Sequence, residues 1–160
     1  MLDANSLTLQ PARDWRNSLH WGDVVSFRFP MPHKGPGLPL KAKPCVIIDV
    51  VTITGECFVT LACGTDMRSE PEGRYNTHVV QPSALILAGF TCPTCFDCSQ
   101  HITVSVKNVG FDLNVHDTPV IGLLTGPERQ RFDDVRLKVK AEIYTATSYL
   151  ADCRKRQTAP

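Results

Sequence analysis

The sequence predicts a mainly β domain closed by one long C-terminal helix, in which five or six short strands curl into a small barrel with the helix packed on it. Three observations carry that expectation. Apolar, β-branched runs of strand length recur from residue 23 to residue 124. Stretches rich in Pro and Gly, or purely polar, separate them. From Pro127 to about Arg154, Phe132, Val135, Val139, Ile143 and Leu150 return at three- and four-residue steps with charges between, and Tyr149 lies beside them.

Taken in order, residues 1–20 show no clear periodicity and are expected to form an extension, with a helical turn or two in "ARDWRNSLHW". The first firm strand is 23–29, where Val25, Phe27 and Phe29 alternate with Val24, Ser26 and Arg28, started by Gly22 and stopped by Pro30. "PMPHKGPGLPLKAKP" holds five prolines and two glycines, which rules out a regular element. Two continuous apolar strands follow, "CVIIDVV" and "CFVTLACGT", joined by a Thr-Gly turn. After the polar loop "DMRSEPEGRYN", "THVVQPSALIL" is expected to be a strand broken at Pro82, which lacks the N–H for a central ladder. A cysteine-containing loop at 91–101 precedes the alternating "HITVSVKNV", and "TPVIGLL" makes a last short strand. Pro127 suits a first helical position, with Thr125 or Gly126 as cap. One domain over 21–156 results, without internal repeats or a dividing linker.

Composition limits function less than it limits class. With 160 residues, 42% hydrophobic and 21% charged, the chain is long enough to bury a core without staples. Seventeen Lys and Arg against sixteen Asp and Glu name no partner; near-neutrality argues against a strongly basic nucleic-acid binder but leaves room for a local basic groove. No stretch approaches the roughly 20 apolar residues of a membrane span, and the N-terminus lacks the pattern of a secretory signal, so a cytoplasmic protein with no membrane partner is expected. In such a compartment seven cysteines are read first as free thiols.

The order of these signals is more specific than any one of them. "WGDVVSFRF", a Gly/Pro/Lys loop, "KAKPCVIIDV", "FVTLACGTD" and "NTHVV" together resemble the MazF/PemK family of toxin endoribonucleases, over roughly residues 21–150. The resemblance implies an SH3-like β-barrel with helices, commonly a homodimer, that cuts single-stranded RNA without a metal or other cofactor and is held in check by a cognate antitoxin protein. It also implies a catalytic pair: the Arg of an Arg-Pro motif and a Thr or Ser ending the next strand. Here the corresponding residues are Lys43, a departure, and Thr65.

The chemistry is intelligible without the family. RNA is cut when its own 2′-hydroxyl attacks the adjacent phosphorus, which asks for a cation to stabilise the developing charge and for groups to move protons. An arginine grips two phosphate oxygens at once, whereas a lysine is a compact point charge. Lys43 is therefore expected either to bind phosphate with looser geometry or to donate a proton to the leaving 5′-oxygen, and Lys41 is a second source of the cation. Thr65 follows Gly64 and precedes Asp66 and Arg68, so "GTD" serves either as a phosphate contact or as a plain turn. Arg28, Lys34 and His78 complete the candidate substrate-binding set, His78 being the side chain suited to proton transfer near neutral pH. The alternative is the same fold holding nucleic acid or a protein partner without cutting.

Cys92, Cys95, Cys98 and His101 carry the ligand atoms of a structural zinc site, at a uniform spacing of three. Four ligands from one ten-residue stretch wrap an ion only with strain, so a zinc-stabilised interaction module ranks behind free thiols, as does a split site drawing on Cys63 or His116. "CPTC" as a redox pair lacks the βαβ setting of such motifs.

Overall fold

The computed structural model describes residues 14–30, 40–67 and 75–157 of the chain. Six antiparallel strands form one sheet: β1 (Asp23–Phe27), β2 (Lys43–Ile53), β3 (Glu56–Asp66), β4 (Asn76–Val79), β5 (Thr94–Ser105) and β6 (Val120–Leu123). Their order is β4-β5-β3-β2-β1-β6, so the sheet is open, with β4 and β6 at its edges. Two helices join it, α1 (Pro82–Ala88) and α2 (Gly126–Gln157). The mainly β expectation and the long C-terminal helix hold.

β2 and β3 form the central hairpin. Thr54 and Gly55 both take positive φ, 49° and 80°, the geometry that two-residue turns adopt to follow the twist of the strands. The ladder runs from Ile53 opposite Glu56 to Asp49 opposite Thr60, then resumes at Ile47 opposite Leu61 and ends at Cys45 opposite Cys63. Ile48 is thus an extra residue, a bulge that shifts the register by one. β5 carries a larger irregularity, residues 97–100 standing where β3 has Cys63 alone.

The sheet buries both faces, which is why "CVIIDVV" is apolar without alternation. On one face Val25, Phe27, Cys45, Ile47, Val59, Leu61 and Cys63 form a core with Val106 and Phe111. Trp15 and Leu19, from the segment expected to be an extension, are buried in the same core, and a 3-10 helix over Trp15–Asn17 carries the first of them. Trp15 packs tilted and Phe27 edge-to-face against Phe111, at 5.1 and 4.9 Å between centroids. On the other face Val24, Val46, Ile48, Ala62, Val79, Phe96 and Cys98 pack against Ala84 and Ala88 of α1 and Phe132 and Val139 of α2. Lys140 reaches Asp49 at 3.3 Å, and Tyr75 bonds Glu142, tying α2 to the sheet at two further points.

Two local expectations are corrected. "PSALILA" is α1, not the second half of a broken strand: Pro82 sits in its first turn, where a missing N–H costs nothing, and Gly89 at φ 80° caps its end. The cysteine segment is a loop only to Pro93, since β5 begins at Thr94. In α2, Phe132, Val135 and Val139 face the core as the periodicity requires, whereas Ile143 is exposed; the side chains of Tyr149 and Leu150 lie outside the described residues. No described helix is long and apolar enough to cross a membrane.

Candidate functional site

Sheet register decides which of the sequence-selected residues meet. β1 holds Lys43 opposite Phe27, and β2 continues to Cys45, which stands opposite Cys63. Carried two residues further, the same register sets Lys43 across from Thr65. Thr65 pairs with Cys95 on β5, and Cys95 pairs with His78 on β4. Directly opposed residues project from the same face, so Lys43, Thr65, Cys95 and His78 form one row across four strands. At about 4.8 Å between strands the row spans roughly 14 Å.

This row lies at one end of the face that buries Val25, Phe27, Cys45 and Cys63. Lys43, Thr65 and His78 are half-buried, and Cys95 is buried beneath them. The ladder between β2 and β3 ends two residues short of the row, at Cys45 and Cys63, although β2 remains paired with β1 to Lys43 and β3 with β5 to Asp66. Pro44 and Gly64 meet there, and a Cβ at residue 64 would come within 2.9 Å of Phe96 and Thr94 and 3.1 Å of the Pro44 carbonyl oxygen. Gly64 is thereby explained by close packing between three strands.

Among the described residues neither Lys41 nor Lys43 has a salt-bridge partner. Lys41 is exposed two residues before the row. Asp66 stands opposite Thr94 and, as the neighbour of Thr65, projects from the other face. Arg28 is at the same end of the sheet, but its guanidinium is engaged by Asp112 at 3.1 Å. Lys34 and Arg68 lie outside the described residues.

The cysteine run does not converge. Cys95 shares the row with Thr65 and His78, whereas Phe96 and Cys98 belong to the core under the helices, so the sheet itself separates the Cys95 and Cys98 sulfurs. Burial pushes the Cys98 thiol up to about 12, and the thiol donates to the Phe96 carbonyl. His101 places Nδ1 3.0 Å from the Cys98 carbonyl oxygen, and Cys92 is exposed in the turn before β5. His116 sits at the opposite side of the sheet, beyond β1. Among the described residues no three His, Cys, Asp or Glu side chains group as a metal site. Cys92, Cys95, Cys98 and His101, the lower-ranked zinc candidates, do not come together among the described residues.

Two features escaped sequence reasoning. An open cavity of about 700 Å³ lies between residues 14–23 and 113–120, lined by His20, Asp23, His116 and Asp117 among others. The second is the Cys45–Cys63 contact. Hydrogen bonding with Cys63, followed by burial, drives the Cys45 thiol far above the ordinary thiol range, although the Lys43 ammonium opposes this. No protein-family model matches the chain, and no curated protein matches it either.

Proposed function

We propose that the chain is an endoribonuclease of the MazF/PemK type, acting on single-stranded RNA from an SH3-like barrel, as a homodimer restrained by an antitoxin protein. The observation that supports this most is the row: the β2–β3 register, extended two residues past its last pair at Cys45 and Cys63, brings Lys43 and Thr65, singled out by motifs 22 residues apart, opposite one another on one face. A phosphate seated between them meets the Lys43 ammonium, which stabilises charge on the pentacoordinate phosphorus, and the Thr65 hydroxyl, which donates to a non-bridging oxygen. The 2′-hydroxyl of the substrate is the nucleophile, its oxygen bonding to phosphorus as the 5′-oxygen leaves. His78, two strands from Thr65 and roughly 10 Å away by strand spacing, is beyond proton-transfer reach of that phosphate and would contact a neighbouring nucleotide.

The test is cleavage of a mixed-sequence RNA in EDTA. Wild type cuts, and Lys43→Ala and Thr65→Ala each lose about 100-fold or more while keeping the folded spectrum. RNA left whole by wild type overturns the proposal. One observation favours a second reading, a non-cutting binder: Lys43 offers a point charge where the family has a bidentate guanidinium, and the nearby Arg28 is held by Asp112. Binding in a gel shift without cleavage selects that reading.

A further inference from the structure

Six cysteines have described side chains, and among them only Cys45 and Cys63 are direct partners in the sheet. Opposed residues in an antiparallel pair stand about 4.5 or 5.5 Å apart at Cα, and either value lies within the roughly 4.4–6.8 Å that a disulfide spans. Both side chains project into the same core, where each thiol lies close enough to perturb the other. Cys95 is on the same face but opposite Thr65, so it is diagonal to Cys63, at about 7–8 Å, beyond ready bridging. Cys98 faces the other core, and Cys57 stands opposite Thr52 near the hairpin turn.

We propose that Cys45 and Cys63 are a modification site: an oxidisable dithiol that hydrogen peroxide closes to one disulfide across β2 and β3. Cys63 keeps 9% of its surface exposed and Cys45 none, so the peroxide meets Cys63 first. Its sulfur takes one peroxide oxygen and becomes a sulfenic acid, and the other oxygen leaves as water. The Cys45 sulfur then displaces the sulfenic hydroxyl, which departs as a second water with the Cys45 proton. Two electrons pass from the pair to the peroxide, and both thiol protons end in water. Closure is slow, over minutes to hours, because Cys45 is held as the neutral thiol and donates to the Lys43 carbonyl at 3.5 Å, while Cys63 donates to that of Gly64 at 3.5 Å.

The disulfide has a consequence for the row beside it, and this part rests on the endoribonuclease reading. Cys45 and Cys63 are the last ladder pair before Lys43 and Thr65, so a covalent link there changes the separation of the two strands where the phosphate is held. Displacement of about 1 Å in a catalytic pair costs on the order of 100-fold.

The experiment exposes the folded full chain to hydrogen peroxide until the exposed Cys92 is fully oxidised, then alkylates, digests and maps the peptides. A Cys45–Cys63 linked peptide that dithiothreitol dissolves is the expected result, with no such peptide from Cys63→Ala. Peptides in which Cys45 and Cys63 are both alkylated, or in which either is linked to another cysteine, overturn the proposal. That readout needs no activity. RNA cutting is followed in parallel, and a reversible loss of about 10- to 100-fold on closure is expected. A linked pair in a protein that never cuts sinks the endoribonuclease reading alone, and cutting by a protein whose pair never links sinks the dithiol alone.

Discussion

The two faces of the sheet are built from the same kinds of strand residue, yet they end differently. The face under α1 and α2 is covered by Phe132, Val139, Ala84 and Ala88, with Trp21 stacked near Phe132 at 6.3 Å between centroids. The opposite face is covered by a short N-terminal segment and Phe111, and runs out at its end into Lys43, Thr65 and His78. A long helix closes one side of this sheet for stability, and the side without such a helix keeps polar groups half-exposed on a rigid backbone. Sites of that kind are precise because strands, not loops, position the side chains.

The largest effect that tests this contrast is on the helix side. Phe132 is fully buried, and Phe132→Ala should cost about 3–5 kcal/mol, a large part of the whole stability of a domain this size. The urea midpoint should fall by about 1–3 M. Lys43→Ala, by contrast, should move that midpoint by less than about 0.5 M while lowering RNA cutting about 100-fold or more. Equal midpoint losses for the two variants would mean that the row is part of the core and not a site.

A smaller effect has the opposite sign. Thr77, on β4 beside His78, is 2% exposed, and its hydroxyl is the buried side-chain oxygen that finds no hydrogen-bond partner among the described residues. It stands opposite Phe96, in the core that the helices cover. Thr77→Val keeps the shape and removes the unpaired hydroxyl, so it should raise stability by about 1 kcal/mol and the melting temperature by about 2–4 °C. An unchanged or lower melting temperature would show that the hydroxyl is satisfied in solution.

How much of this was legible follows from the same residues. β-branched runs marked β1, β2 and β3, and the three- and four-residue steps of Phe132, Val135 and Val139 marked α2, because those signals are local. α1 was hidden because a seven-residue apolar run after a proline fits a broken strand as well as a helix. The start of β5 was hidden because residues 97–100 interrupt its period and the spacing of the cysteines draws the eye to metal. Motif order pointed to Lys43 and Thr65, but periodicity could not pair them. Counted from the Thr54–Gly55 turn, the ladder Ile53–Glu56 would bring Lys43 opposite Asp66. Only the bulge at Ile48 moves Lys43 to Thr65 and Cys45 to Cys63. A one-residue shift exchanges the two faces, and nothing in "CVIIDVV" announces it.

The smallest effect concerns the cavity beside β1, where a carboxylate sits at the margin of the better-covered region. Burial pulls Asp23 above the usual carboxylate range, although the His20 N–H donates to it at 2.8 Å and His20 and Arg129 attract its charge. A carboxyl whose affinity for protons is higher folded than unfolded binds more protons in the native state between its unfolded value, 3.8, and its raised folded value. Unfolding then releases protons, so the contribution of Asp23 to stability falls as pH rises through that window and stays reduced at neutral pH. Asp23→Asn retains an acceptor for the His20 N–H and removes the charge that burial disfavours. The difference in melting temperature, variant minus wild type, should therefore grow in favour of the variant from about pH 4 toward pH 7. A difference that grows in favour of wild type would show that Arg129 and His20 outweigh burial, and that the cavity margin holds a stabilising ion pair.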